Sequence, residues 1–136
     1  MIEIVPVGVI RSPYRERGDT PRQGAGTPAV STVEVYPAYA PAMGTMEGIS
    51  HIWVLYWMDQ AERHLLTVRR PEWTEGRPVF SVRSPARPNP IALSIGKIQS
   101  VKGSVITVTG LEALDGSLVI DIKPYVRGLD CIPESE

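Results

Sequence analysis

The chain has 136 residues, 43% of them hydrophobic and 21% charged, with a formal net charge of −1. At this length a single globular core is expected, burying roughly two thirds of the unfolded-chain surface, and the balance of apolar and charged residues excludes a disordered chain. No apolar run reaches the length of a bilayer span, the overall charge gives no field that gathers nucleic acid nonspecifically, and the lone Cys131 supplies neither an internal disulfide nor a thiolate metal cluster.

Thirteen prolines and twelve glycines divide the chain into short segments, which favours an all-β or α+β fold over a helical bundle. Met1-Ile2-Glu3-Ile4 carries an acidic residue where a secretory leader has lysine or arginine, so a cytoplasmic protein without a membrane segment is expected. Residues 2–10 read as a first strand with Pro6 at an edge or bulge, and residues 11–31 as a long loop of the kind that often carries function. Val33 to Tyr36 alternates as a short strand, and residues 38–46 suit a helical turn. Ser50 to Met58 is apolar on both faces, so it must be covered on both sides. Residues 59–77 carry eight charged side chains without an apolar period and predict an exposed connection. A strand over Pro78–Val82 follows, then a rigid loop over Arg83–Pro90, where closely spaced prolines forbid helix and ladder alike. Ile91–Val101, Val105–Val108 and Leu118–Lys123 complete six or seven strands, joined by turns at Lys102-Gly103-Ser104 and Leu114-Asp115-Gly116. The whole chain, 1–136, reads as one domain without repeat or linker.

The chain contains no GxxxxGK[ST], HExxH or GxSxG, and Gly24-Ala25-Gly26 follows no strand and opens no helix, so a Rossmann-type nucleotide site is excluded. Three polar segments remain. Pro21-Arg22-Gln23-Gly24 is either a solvated loop or a ligand contact. In Arg83 to Ile91 the prolines reduce the entropy lost on ordering Arg83, Arg87 and Asn89; the guanidinium forks of the arginines suit a ligand carboxylate or phosphate but equally suit capping strand ends or pairing with an internal carboxylate. In the third, period two places Asp121, Lys123 and Tyr125 on one strand face and Ile120 and Ile122 on the other. That face is either an ordinary solvated Asp/Lys pair, contributing ~0–1 kcal/mol, or part of a reaction centre. His51 alternates with Trp53, Leu55 and Trp57, the pattern of a hydrogen-bonded core histidine as much as of a ligand contact. The tryptophans suit a core or subunit interface.

Taken in order, Gly8-Val9-Ile10-Arg11-Ser12-Pro13-Tyr14, Pro21-Arg22-Gln23, Glu47-Gly48-Ile49-Ser50-His51-Ile52-Trp53, Arg83-Ser84-Pro85, Arg87-Pro88-Asn89-Pro90-Ile91, and Leu114-Asp115-Gly116 with Asp121-Ile122-Lys123-Pro124-Tyr125 resemble the TsaA-like domain of the TrmO family. The resemblance spans nearly the whole chain, and RPNPI followed about thirty residues later by DIKPY is its most specific part. It implies an all-β fold, a single-sheeted antiparallel β-barrel with short helical turns, assembled as a homodimer. It also implies S-adenosylmethionine as cofactor, no metal, and methylation of N6 of a threonylcarbamoyl-modified adenosine beside the tRNA anticodon. Carried onto this sequence, the cofactor contacts fall on Pro21, Arg22, Gln23, His51, Ile52, Arg83, Leu93, Asp115, Gly116, Ser117 and Leu118. Asp121, Lys123 and Tyr125 then become candidates for the transfer centre.

The sequence departs from the family pattern at Ala92, where a glycine is usual, at Ser117-Leu118 in place of Thr-Pro, and at Arg127 in place of a proline. It also shows no counterpart of the C-terminal extension of longer bacterial members. These differences touch acceptor choice more than cofactor binding, so two rivals stay open: an S-adenosylmethionine-binding regulator without catalysis, and a cofactor-free RNA-binding barrel.

Overall fold

The computed structural model describes residues 1–16 and 29–135. Its strands are β1 (Gly8–Arg11), β2 (Val30–Val35), β3 (His51–Trp57), β4 (Thr67–Val68), β5 (Arg77–Pro78), β6 (Ile91–Lys102), β7 (Val105–Thr109) and β8 (Leu118–Pro124), followed by one helical turn, α1 (Arg127–Asp130). Six of them close an antiparallel barrel in the order β1-β2-β7-β6-β3-β8, with β1 paired back onto β8, and β4 and β5 form a separate two-stranded ribbon. Closure leaves the barrel without a free edge, and strict alternation then fills its interior. Ile10, Val33, Ile52, Val54, Ile106, Val108 and Val119 are completely buried there, and Leu111 and Ala113 join the same core from the segment after β7.

Several expectations from sequence are met, and others change for physical reasons. The strand expected over 2–10 begins only at Gly8, while β2 starts three residues before Val33. Residues 37–42 form a 3-10 helix begun by Pro37, overlapping the first half of the 38–46 stretch expected to be helical. The exposed connection over 59–77 contains the β4 strand, whose ribbon with β5 is too short to leave a period in the sequence. Pro78–Val82 is not a strand: Val79–Ser81 is a 3-10 turn with Val79 buried. The Arg87 guanidinium explains it, donating to the carbonyls of Val79 (3.0 Å), Ser84 (2.8 Å) and Val82 (3.3 Å), so these acceptors serve a side chain and not a ladder. Arg87→Ala removes the charged donor of this turn and is expected to cost about 2–3 kcal/mol, read as a lower urea midpoint at unchanged slope.

The β3–β8 register shifts between Leu55 and Tyr56, so Leu55 pairs with Asp121 but Tyr56 with Val119. The extra residue is Ile120, and the bulge turns it toward a groove it shares with Trp57 and Leu118. Ile122 alone of the expected pair packs against the core. Among the described residues no helix is long and apolar enough to cross a membrane.

Candidate functional site

Because β3 alternates, Ile52, Val54 and Tyr56 enter the core while His51, Trp53, Leu55 and Trp57 face outward and are only half-buried. Their neighbours on the same outer face are apolar and open: Ile91 is 39% exposed, Leu93 40% and Leu118 42%. Leu93 stands beside Leu55, and both Ile91 and Leu118 stand beside Trp57. Among the described residues the strand is therefore covered on its inner side and incompletely on its outer side.

Asp121, Lys123 and Tyr125 share this outer face, as their period requires. Lys123 Nζ lies 3.1 Å from Asp121 Oδ2, with the two side chains 63% and 45% exposed, and Asp121 Oδ1 accepts from the Ile122 amide at 2.9 Å. Tyr125 stacks obliquely on Trp53 at 5.7 Å and meets the His51 ring edge at 6.4 Å. His51 Nδ1 is 2.9 Å from the Ser50 hydroxyl. The arrangement puts a carboxylate, an ammonium, a phenol and an imidazole along one strand edge, beside two indoles.

A cleft of about 1320 Å³ opens between the mouth of the barrel and the 59–90 excursion, larger than most small-molecule sites, which span roughly 300–1,000 Å³. Arg83, Leu93 and Ser117 line it. The Arg83 side chain makes no hydrogen bond or ion pair among the described residues. Arg87 is committed to the loop's carbonyls, and Asn89 accepts from Arg63 at 3.3 Å, with Arg63 also donating to the Pro88 carbonyl and lying 5.0 Å over the Trp57 ring. Of Arg83, Arg87 and Asn89, Arg83 is the one left to meet a ligand among the described residues.

The Leu114-Asp115-Gly116 turn is held by β1 and the segment after it. Ser12 and Tyr14 reach it, with the Ser12 amide donating to Asp115 Oδ1 at 3.0 Å and the Asp115 amide to the Tyr14 carbonyl at 2.7 Å. Gly116 has φ +86°, a left-handed conformation that disfavours a side chain, and its amide donates to the Ile10 carbonyl. The Asp115 carboxylate thus organises the turn, leaving Ser117 and Leu118 to face the cleft and the outer wall. Ile52 has its side chain inside the barrel, so any ligand contact there is through its backbone. His51 and Leu118 stand beside opposite ends of β3, six residues or about 20 Å apart, so one copy of the chain does not gather all the resemblance-implied residues at one point. Pro21, Arg22 and Gln23 lie outside the described residues.

Sequence reading missed a buried polar chain in the same cleft. Ser94 Oγ donates to Glu112 Oε1 at 3.4 Å, and the Tyr56 hydroxyl, 3.3 Å from Ser94 Oγ, is left to donate to it. Burial pushes the Tyr56 phenol up to about 12; the Ser94 hydrogen bond opposes this and the Glu112 charge adds to it. At neutral pH Tyr56 is a neutral donor and not a base. The available signal was Ser94 itself, a hydroxyl on the inward parity of β6 between Ala92 and Gly96.

Residues 9–131 match the family model for the tRNA-methyltransferase O N-terminal domain. An S-adenosyl-L-methionine-binding protein of Archaeoglobus fulgidus is 47% identical over 131 residues, covering 96% of this chain and 94% of its own. The crystal structure of TrmO from Pseudomonas aeruginosa superposes with a TM-score of 0.83 at 31% identity over the whole of this chain, and another TrmO crystal structure with 0.85 at 32%. This chain spans about three fifths of those TrmO chains, 61% and 62% respectively.

Proposed function

Since the chain belongs to the tRNA-methyltransferase O N-terminal domain family, we propose that it binds S-adenosylmethionine in the cleft between the barrel mouth and the Arg83 loop and transfers its methyl group to an adenine N6 of tRNA. The single observation that carries this reading is the Arg83 guanidinium, presented without a partner among the described residues by a loop that Arg87 clamps, in a cleft with an apolar wall at Leu93 and a carboxylate at Glu112. Those groups suit the ends of a zwitterionic amino acid and the apolar surface of a nucleoside. When bound, S-adenosylmethionine supplies an electrophilic methyl group on a sulfonium.

The chain's own part is positional. Arg83 holds a carboxylate, and Leu93 shields the site from water. In this reading Asp121, on the outer face of β8, orients the exocyclic amine or takes its proton, and Lys123, 3.1 Å from it, meets a phosphate. Calorimetric titration with S-adenosylmethionine tests the cofactor half, and mass spectrometry of tRNA nucleosides from a deletion strain tests the acceptor half. A modified adenosine that persists in the deletion strain counts against the acceptor.

We propose further that the outer face of β3, β6 and β8 pairs two copies. A two-fold contact across Trp53, Leu55, Leu93 and Leu118 completes the missing cover and brings the His51 end of one copy toward the Leu118 end of the other. Sedimentation is expected to give a dimer burying roughly 1,200 Å² or more. A ~15 kDa species alone at micromolar concentration contradicts it.

A second reading has its own support: the Archaeoglobus relative, matched over almost its full length, is named for S-adenosylmethionine binding alone. A regulator binds the cofactor as well as an enzyme does but releases no S-adenosylhomocysteine when tRNA is added.

A further inference from the structure

Phe80 is 82% exposed, large and apolar, yet it sits on a rigid support. Its neighbour Val79 is 2% exposed, the Val79 amide donates to the Leu66 carbonyl at 3.0 Å, and the Arg87 guanidinium grips the Val79 and Val82 carbonyls on either side. The backbone that carries the ring is thus fixed on both sides, and the exposed ring lines the cleft. Across the ribbon, Arg77 lies 4.3 Å and Arg70 5.1 Å over the Trp73 ring, so one indole holds two guanidinium groups in place. Arg70, Trp73, Phe80 and Arg83 all line the same cleft.

Charge separates this arm from the rest of the chain. Residues 63–87 hold six arginines against two glutamates, Glu72 and Glu75, while the remainder holds eight basic and thirteen acidic residues. A net charge of −1 therefore conceals a basic arm on an acidic body. Fixed guanidinium groups interleaved with an exposed aromatic ring are what a single-stranded nucleic acid requires: charge for the backbone and a flat apolar face for a base. A second copy of the chain would bring an acidic body but no reason for an outstretched ring.

We propose that the 63–87 arm is an RNA-docking arm, in which Phe80 stacks on an unpaired base of the RNA while Arg70 and Arg77 meet its phosphates. This deepens the functional reading, since it assumes an RNA acceptor delivered to the same cleft, and it names residues for which neither the sequence motifs nor the family pattern supplied a role.

The test is fluorescence anisotropy of labelled bulk tRNA against the full chain, with S-adenosylmethionine titration and sedimentation run on the same samples. Phe80→Ala is expected to weaken tRNA binding roughly fivefold to a hundredfold, with Phe80→Trp restoring it and cofactor affinity and assembly unchanged. Arg77→Ala is expected to lower the salt slope by about one phosphate contact. Phe80→Ala that binds tRNA as the parent does, or that changes the assembly state, overturns the proposal. A parent chain that binds S-adenosylmethionine but no tRNA overturns the arm and leaves the cofactor reading standing, whereas failure to bind S-adenosylmethionine removes the functional reading itself.

Discussion

Asp121→Asn is expected to slow methyl transfer on the order of a hundredfold, the lower range for lost general-base assistance, while cofactor affinity stays near the parent value. The adenine amine is a weak nucleophile because its lone pair is delocalised into the ring, so its orientation at attack and the removal of its proton afterwards both bear on the rate. Asp121 is suited to either role, because the β8 strand fixes its backbone, the Ile122 amide holds one carboxylate oxygen at 2.9 Å, and the Lys123 ammonium lies 3.1 Å from the other. Asparagine preserves the oxygen that accepts from Ile122 but places an NH2 group against the ammonium and removes the base. Both side chains are substantially exposed, so the pair itself contributes little to stability and the variant is expected to fold. Single-turnover transfer from S-adenosylmethionine to tRNA measures the effect. An unchanged rate returns the Asp121, Lys123 and Tyr125 edge to a solvated strand face.

Arg83→Ala is expected to weaken S-adenosylmethionine binding roughly tenfold to a hundredfold, the value of about 1.5–3 kcal/mol for a charge-assisted hydrogen bond. Its side chain supports nothing in the described part of the fold, so removing it leaves the loop to Arg87 and Arg63, and the loss appears in affinity and not in stability. Lysine at this position keeps the charge but not the planar fork, and it is expected to recover part of the binding. Calorimetric titration decides the matter: parent-like affinity in a folded Arg83→Ala protein places the carboxylate of the cofactor elsewhere.

The parts of the fold legible in sequence were those written in local period. β3 announces itself as a run apolar on both faces, β6, β7 and β8 as strands between turns, and the shared face of Asp121, Lys123 and Tyr125 follows from period two. Closure of the barrel did not follow from any period; it was implied by the family resemblance, since β1 meeting β8 joins residues more than a hundred positions apart. Val79-Phe80-Ser81-Val82 has the β-branched and aromatic composition of a strand, but the decisive partner is the Arg87 side chain, which local pattern does not reveal. The Ile120 bulge is equally silent, because one inserted residue leaves composition untouched. The Tyr56–Ser94–Glu112 chain was hidden for a topological reason, since its members lie on three separate segments that meet only when the barrel forms.

The cofactor and acceptor readings converge on one reaction, and it is measured most directly by incubating the purified chain with bulk tRNA and S-adenosylmethionine labelled in its methyl group, then identifying the labelled nucleoside by mass spectrometry. The expected result is label on an N6-methylated adenosine derivative, with S-adenosylhomocysteine released in equal amount and the rate lost in Asp121→Asn. A chain that binds S-adenosylmethionine yet releases no S-adenosylhomocysteine and labels no nucleoside contradicts methyl transfer and leaves a binding protein in its place.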